Sequence, residues 1–138
     1  MKAIAALLLA ATTLTAAPAE VKWETSLQAA QARAKAEHKV ILLDVWTGWC
    51  GWCRKLQQDT FPSKEGQAAL AKVVPLSIKT QEADGKPTKD NHVERDFQVD
   101  GYPTLLMLDA NGKVIARQPG YLPPAPFAQW VASASKAN

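Results

Sequence analysis

Cysteine is scarce in this chain. Its 138 residues include two, Cys50 and Cys53, so no network of disulfides can staple the fold and an apolar core has to hold it. Histidine is as scarce, with His38 and His92 alone. Neither is spaced like a ligand pair, and a zinc site needs four ligands, or three plus water. No metal site and no cofactor is expected. A dominant charge sign is also missing: 16 Lys and Arg stand against 13 Asp and Glu, a formal net charge of +3. So mild an excess gives no argument for nucleic acid or a membrane surface as partner. Long apolar runs are absent except at the start. Ala3 to Ala11 is about half the roughly 20 residues that a bilayer span requires, so no stable membrane insertion is expected. Internal repeats and low-complexity tracts are lacking too.

What is present begins with that apolar run. Lys2 supplies a positive start, small residues follow, and Ala17-Pro18-Ala19 fits the A-x-A cleavage pattern of a secretory signal peptide. The expectation is a signal peptide over residues 1–19 and one domain over residues 20–138. No cysteine lies near the cleavage site, so no lipid anchor is expected. The protein is then periplasmic or secreted, in a compartment where disulfides persist.

The segment "TSLQAAQARAKAEHK" predicts a helix capped by Thr25, with Gln28 reaching back and Leu27, Ala30 and Ala34 on one face. "VILLDVW", Val40 to Trp46, is nearly all apolar and rich in branched residues, the pattern of a strand buried on both faces. A helix follows from Cys50 to about Asp59, broken or bent by Pro62. "SKEGQAALAKV" continues it or forms a short second helix, and "VVPLSIKT" is a second strand. Residues 81–91 read as a solvated loop and "HVERDFQV" as a short helix. "PTLLMLD" and "KVIARQ" form strands joined through Ala110-Asn111-Gly112. "PPAPFAQWVASAS" closes the chain as a helix burying Phe127, Trp130 and Val131. The order implies an α/β layer fold with a central mixed sheet flanked by helices.

Two cysteines two residues apart, where a buried strand passes into a helix, admit three readings: a redox couple, a structural disulfide, or half of a zinc site. A structural disulfide closing so short a loop removes little chain entropy, and zinc lacks partners. The redox reading has a physical basis. A sulfur at a helix N-terminus has its thiolate stabilised by unpaired N–H groups and the helix dipole, and the thiolate is the nucleophile of disulfide exchange. Cys50 would attack and Cys53, one turn on, would resolve. Arg54 and Lys55 add positive charge nearby, although Arg54 can equally point to solvent.

"LLDVWTGWCGWCRKL" resembles the active-site segment of thioredoxin-fold proteins, and "GYPTLLMLDANGKVI" resembles their cis-proline strand and following hairpin. "CRKLQQDTF" is similar to exported bacterial members, with the C-terminal domain of the membrane thiol:disulfide interchange reductases the nearest likeness. The resemblance spans roughly Trp23 to Ala132. It implies a cis bond before Pro103, with Tyr102 offering backbone groups to an extended peptide. It implies an apolar wall at Trp49 and partner contact at Gly51 and Trp52, and it makes Asp44 an acid that moves the proton of Cys53. The lysine common near that acid is missing, and Pro75 stands about where it would be. Gly51-Trp52 replaces the Gly-Pro of thioredoxins proper, which alters the balance of thiolate and disulfide.

The function implied is that of an exported, monomeric thiol–disulfide oxidoreductase. It would act on disulfide-containing or dithiol proteins and be recharged by an upstream membrane thiol reductase. The alternatives are an oxidase or isomerase on the same scaffold, and a redox-inactive binding module of the same fold.

Overall fold

The computed structural model describes residues 13–14 and 20–137. The expected signal peptide therefore lies outside the described residues, apart from Thr13 and Leu14. The first helix, α1 (Leu27–Glu37), is capped by Ser26, whose Oγ accepts the Ala29 N–H at 3.2 Å. The sequence predicts Thr25 as the cap, but the cap sits one residue later. Ser26 has the extended backbone that a capping side chain needs to reach back over the first turn. The helix ends at His38 in the left-handed conformation. Ala30 and Ala34 are its buried face, and their small side chains let the helix lie close to the sheet.

Four strands follow: β1 (Ile41–Thr47), β2 (Val74–Gln81), β3 (Thr104–Leu108) and β4 (Val114–Pro119), ordered β2-β1-β3-β4. β1 runs parallel to β2 and antiparallel to β3, and β4 is antiparallel to β3. The sheet is mixed, as the sequence implies. Its outer edge at β2 is partly covered by the chain entering α1: Glu24 N–H donates to Pro75 C=O at 2.8 Å, and Ser77 N–H to Glu24 C=O at 3.0 Å. Pro75, which has no N–H to give, is tolerated on this outer strand.

Between the strands lie α2 (Gly51–Lys55), a π-helical segment (Leu56–Thr60), α3 (Lys64–Leu70) and α4 (His92–Asp96); α5 (Pro124–Ala134) closes the chain. The sequence predicts one helix from Cys50 to about Asp59. The structure widens it to a π turn midway, with Phe61 N–H donating to Leu56 C=O at 3.0 Å, and brings it to an end beside Pro62. The β3–β4 connection is longer than a two-residue turn. Asp109 Oδ1 accepts the N–H groups of Asn111 and Lys113, both at 2.9 Å.

Alternation along β1 builds two cores. Ile41, Leu43 and Val45 face α1 and α4 with Leu76, Ile78, Val93, Leu106 and Leu108. Leu42 faces the other layer with Leu56, Phe61, Leu70, Leu105, Met107, Phe127 and Val131. Trp130 is only half-buried; Ala134 completes the inner stripe of α5. Phe127 is fully enclosed, with its ring centroid 5.6 Å from that of Phe61. Phe127→Ala is expected to destabilise the protein by about 3–5 kcal/mol, read from the denaturant midpoint at unchanged slope.

Candidate active site

All four strands bring one end to the same edge of the sheet. β1 and β2 finish there at Thr47 and Gln81, β3 starts there at Thr104, and β4 finishes there, with Pro119 opposite Thr104. The cysteine motif follows β1. Gly48 N–H donates to Gln81 C=O at 2.9 Å. A Cβ on Gly48 would stand 2.6 Å from the Ala83 nitrogen, so this close approach of two backbones requires glycine.

Cys50 is the N-cap of α2, and its Sγ accepts the Cys53 N–H at 3.1 Å. The two cysteines are joined as a disulfide with Cα atoms 5.3 Å apart. In the disulfide state both cysteines are almost enclosed. Cys50 keeps 4% of its surface and Cys53 1%. The exposed surface belongs to their neighbours instead, with Trp49 49% and Trp52 59% exposed. Arg54 folds back to the Gly48 carbonyl at 3.3 Å, which holds its cation over the motif.

The Tyr102–Pro103 bond is cis. Tyr102 stands edge-on to Trp49, ring centroids 5.7 Å apart. On the other side Trp52 packs on Tyr121 at 5.6 Å, and Lys55 lies 5.5 Å from the centre of the Tyr121 ring. A pocket of about 310 Å³ opens among Trp52, Tyr102, Gly120 and Tyr121. Sequence reasoning missed Tyr121, which sits in a loop with no signature of its own. It missed Gln81 and Glu94 as well. Trp49 Nε1 donates to Gln81 Oε1 at 2.9 Å, and Gln81 Nε2 donates to Glu94 Oε1 at 2.9 Å. The segment 81–91 is thus a solvated loop only at its tip. Its roots are bound, with Gln81 bridged to Pro87 and Thr88 Oγ1 donating to the Lys79 carbonyl at 2.8 Å.

Asp44 lies on the same face of β1 as Leu42, and so behind the layer that Leu56 anchors. It is 1% exposed, and its Oδ1 has no hydrogen-bond partner. Burial pushes its pKa up to about 7, because an unpaired carboxylate is poorly solvated there. The residue opposite it on β2 is Ser77, not Pro75. Ser77 Oγ accepts the Trp46 indole N–H at 2.9 Å. Lys79 is two residues further along and pairs with Glu82 at 2.6 Å, so it does not offset the acid. Asp44 lines a pocket of about 410 Å³ with Trp46, Gln57 and Ser77 among its walls. His38 and His92 are exposed at helix ends, and Nδ1 of His92 lies 2.9 Å from Asp96 Oδ2.

A parallel β1–β2 pair, an antiparallel β3–β4 hairpin, a cysteine pair capping the helix after β1 and a cis-proline opening β3 define a thioredoxin-fold redox domain. The chain belongs to the family described as thioredoxin-like domain, which matches residues 27–135. It is similar to the thiol:disulfide interchange protein DsbD of Yersinia enterocolitica, 35% identical over 107 residues. That match covers 75% of this chain and 17% of the relative. DsbD of Actinobacillus pleuropneumoniae is 28% identical over 98 residues, covering 70% of this chain and 16% of the relative. The chain thus spans about a sixth of the length of these relatives. Among solved structures, a DsbH oxidoreductase is 27% identical with a TM-score of 0.73, covering 97% of this chain and 96% of that one. The C-terminal domain of Neisseria meningitidis DsbD in its reduced form shares the fold at 21% identity and a TM-score of 0.64, covering 78% of this chain and 93% of that one. This is a thioredoxin-like domain similar to those oxidoreductases and carrying a Cys-x-x-Cys pair.

The acid gives a signed pH dependence. Its native pKa lies above the unfolded value of about 3.9, so the native state holds the proton more tightly. Stability therefore falls as pH rises from about 4 through about 7. Oxidised Asp44→Asn should gain on the wild type over that interval, by on the order of 4 kcal/mol. Denaturant unfolding of both proteins at the two ends of the interval measures it, and parallel pH profiles would contradict the assignment.

Proposed function

We propose that this protein is an exported thiol–disulfide oxidoreductase that reduces or exchanges disulfides in partner proteins. The observation that carries the reading is the Cys50–Cys53 disulfide at the mouth of α2, with the Cys53 N–H directed at Cys50 Sγ. In the reduced protein the same N–H, the helix dipole and the Arg54 cation favour Cys50 as thiolate. That thiolate attacks one sulfur of a partner disulfide, forming a mixed disulfide and expelling the partner's other sulfur as a thiolate. Cys53 then loses its proton to Asp44 and attacks Cys50 Sγ. The partner leaves fully reduced, and two electrons have passed to it as the Cys50–Cys53 bond forms. An upstream membrane thiol reductase returns the pair to the dithiol.

Asp44 suits the proton step because its pKa of about 7 lets it accept and return a proton near neutral pH. Trp49, Gly51, Trp52, Tyr102 and Pro103 form the surface on which the partner docks, as an extended segment beside the backbone of Tyr102. Residues 1–19 direct export and residues 20–138 act as a monomeric domain. No helix among the described residues is long and apolar enough to cross a membrane.

Insulin reduction with dithiothreitol as electron source should be accelerated by the wild type and not by Cys50→Ser. Cys53→Ala should accumulate a mixed disulfide with its partner, visible on non-reducing gels and identifiable by mass. The direction follows from the potential measured against glutathione: a value of about −270 mV marks a reductant, and one of about −120 mV would establish the oxidase alternative. Protein recovered from the periplasm or medium should begin at Glu20 by intact mass, and retention of Met1 would overturn the export assignment.

A further inference from the structure

We infer that Gln81 and Glu94 form a positioning relay that fixes Trp49 and Tyr102, and with them the docking of a partner segment beside Cys50. The inference rests on the exchange reaction proposed above. It adds two residues that touch neither the disulfide nor the cis-proline through any hydrogen bond.

The geometry is a chain of contacts. Trp49 Nε1 donates to Gln81 Oε1 at 2.9 Å, and Gln81 Nε2 donates to Glu94 Oε1 at 2.9 Å. The Tyr102 hydroxyl is near enough to the Glu94 carboxylate for each to shift the other's titration, and the Tyr102 ring stands edge-on to Trp49 at 5.7 Å. The chemistry of each member dictates its neighbour. An indole N–H can only donate, so it takes the amide oxygen of Gln81. That turns the amide NH₂ towards Glu94, and an ionised carboxylate can only accept. Burial works against that ionised form. The bond from Gln81 and the polar groups of Tyr102, Thr80 and Asn91 gathered near it outweigh burial and keep Glu94 below the usual carboxylate range. Burial, followed by Glu94, raises Tyr102 to about 12, so its hydroxyl stays a donor.

Trp49 and Tyr102 are the members of this chain that matter for docking. Trp49 precedes Cys50, and Tyr102 precedes Pro103. Trp49 is half-exposed, and a ring with that freedom needs a tether to hold one rotamer. Gln81 is well placed to provide it: its carbonyl already accepts the Gly48 N–H at 2.9 Å, so tether and motif share one rigid strand end. The roots of the 81–91 loop brace the same point, with Gln81 bridged to Pro87 and Asn91 Nδ2 donating to the Thr80 carbonyl at 3.3 Å. Loss of the relay loosens the platform and leaves the sulfur chemistry as it was.

Gln81→Leu keeps the bulk and removes both hydrogen bonds. Its KM for insulin should rise about tenfold, the scale set by one lost hydrogen bond and the freed ring, with kcat within about twofold. The rate at which dithiothreitol reduces the Cys50–Cys53 bond should stay unchanged, because so small a reagent needs no platform. The Trp49 indole N–H resonance, assigned from its loss in Trp49→Phe, should exchange faster with water while the other tryptophan resonances hold their positions. Glu94→Gln, which keeps an acceptor for Gln81, should raise KM less. If Gln81→Leu fails to fold, Gln81→Asn keeps the amide, shortens its reach and carries the same measurements. A wild-type KM in these variants overturns the relay, as does a dithiothreitol rate that falls in step with KM. A wild type inert towards insulin sinks instead the exchange reaction itself.

Discussion

Strand β1 is covered on both faces, and its chain can reach solvent only where the sheet ends. Every residue from Ile41 to Val45 is buried, and each apolar side chain is committed to one of the two cores. The register that satisfies both leaves one place for the cysteine pair, the turn beyond Thr47. A slip of one residue would exchange the two faces and drive Asp44 into the layer beneath α1. The position of the chemistry is thus a by-product of core packing, and the strand centre sets it more firmly than the motif does.

The same constraint gathers the rest of the site. Since β1 and β2 are parallel, while β3 runs against β1 and β4 against β3, the motif turn, Gln81, Pro103 and Gly120 all arrive at one rim. Four chain segments far apart in sequence become neighbours without any of them needing its own folding signal. Two opposing electrostatic environments then lie a few residues apart along one chain. Cys50 sits where backbone N–H groups and a guanidinium favour negative charge. Asp44 sits where burial without a partner disfavours it.

Much of this was legible in the residues. The unbroken run from Val40 to Trp46 marks a central strand, and the Cys-x-x-Cys spacing after it marks the site. Asp44 stands out because a carboxylate in such a run has to be buried. The cis bond before Pro103 was legible only through family likeness, since nothing local demands it. The π turn was hidden because "RKLQQDTF" has ordinary helical composition, and the widening is imposed by the path of the chain onto Phe61 and Pro62. The cap moved from Thr25 to Ser26 because either residue can serve and the entering strand decides. Gln81, Glu94 and Tyr121 escaped notice for a common reason. Their importance comes from what the sheet sets beside them, and polar residues in a turn-rich segment look alike before folding.

Within the motif itself, freedom is unevenly distributed. An added methyl at position 48 would collide with the neighbouring strand end, whereas one at position 51 would meet nothing within 4 Å. The tryptophan at 52 likewise projects outward rather than into either core. Apart from the Trp52 ring against Tyr121, the dipeptide enclosed by the sulfurs stands clear of both cores, while Gly48 just ahead of the motif is hemmed in by backbone. Descendants of this sequence can exchange those two letters without disturbing either core.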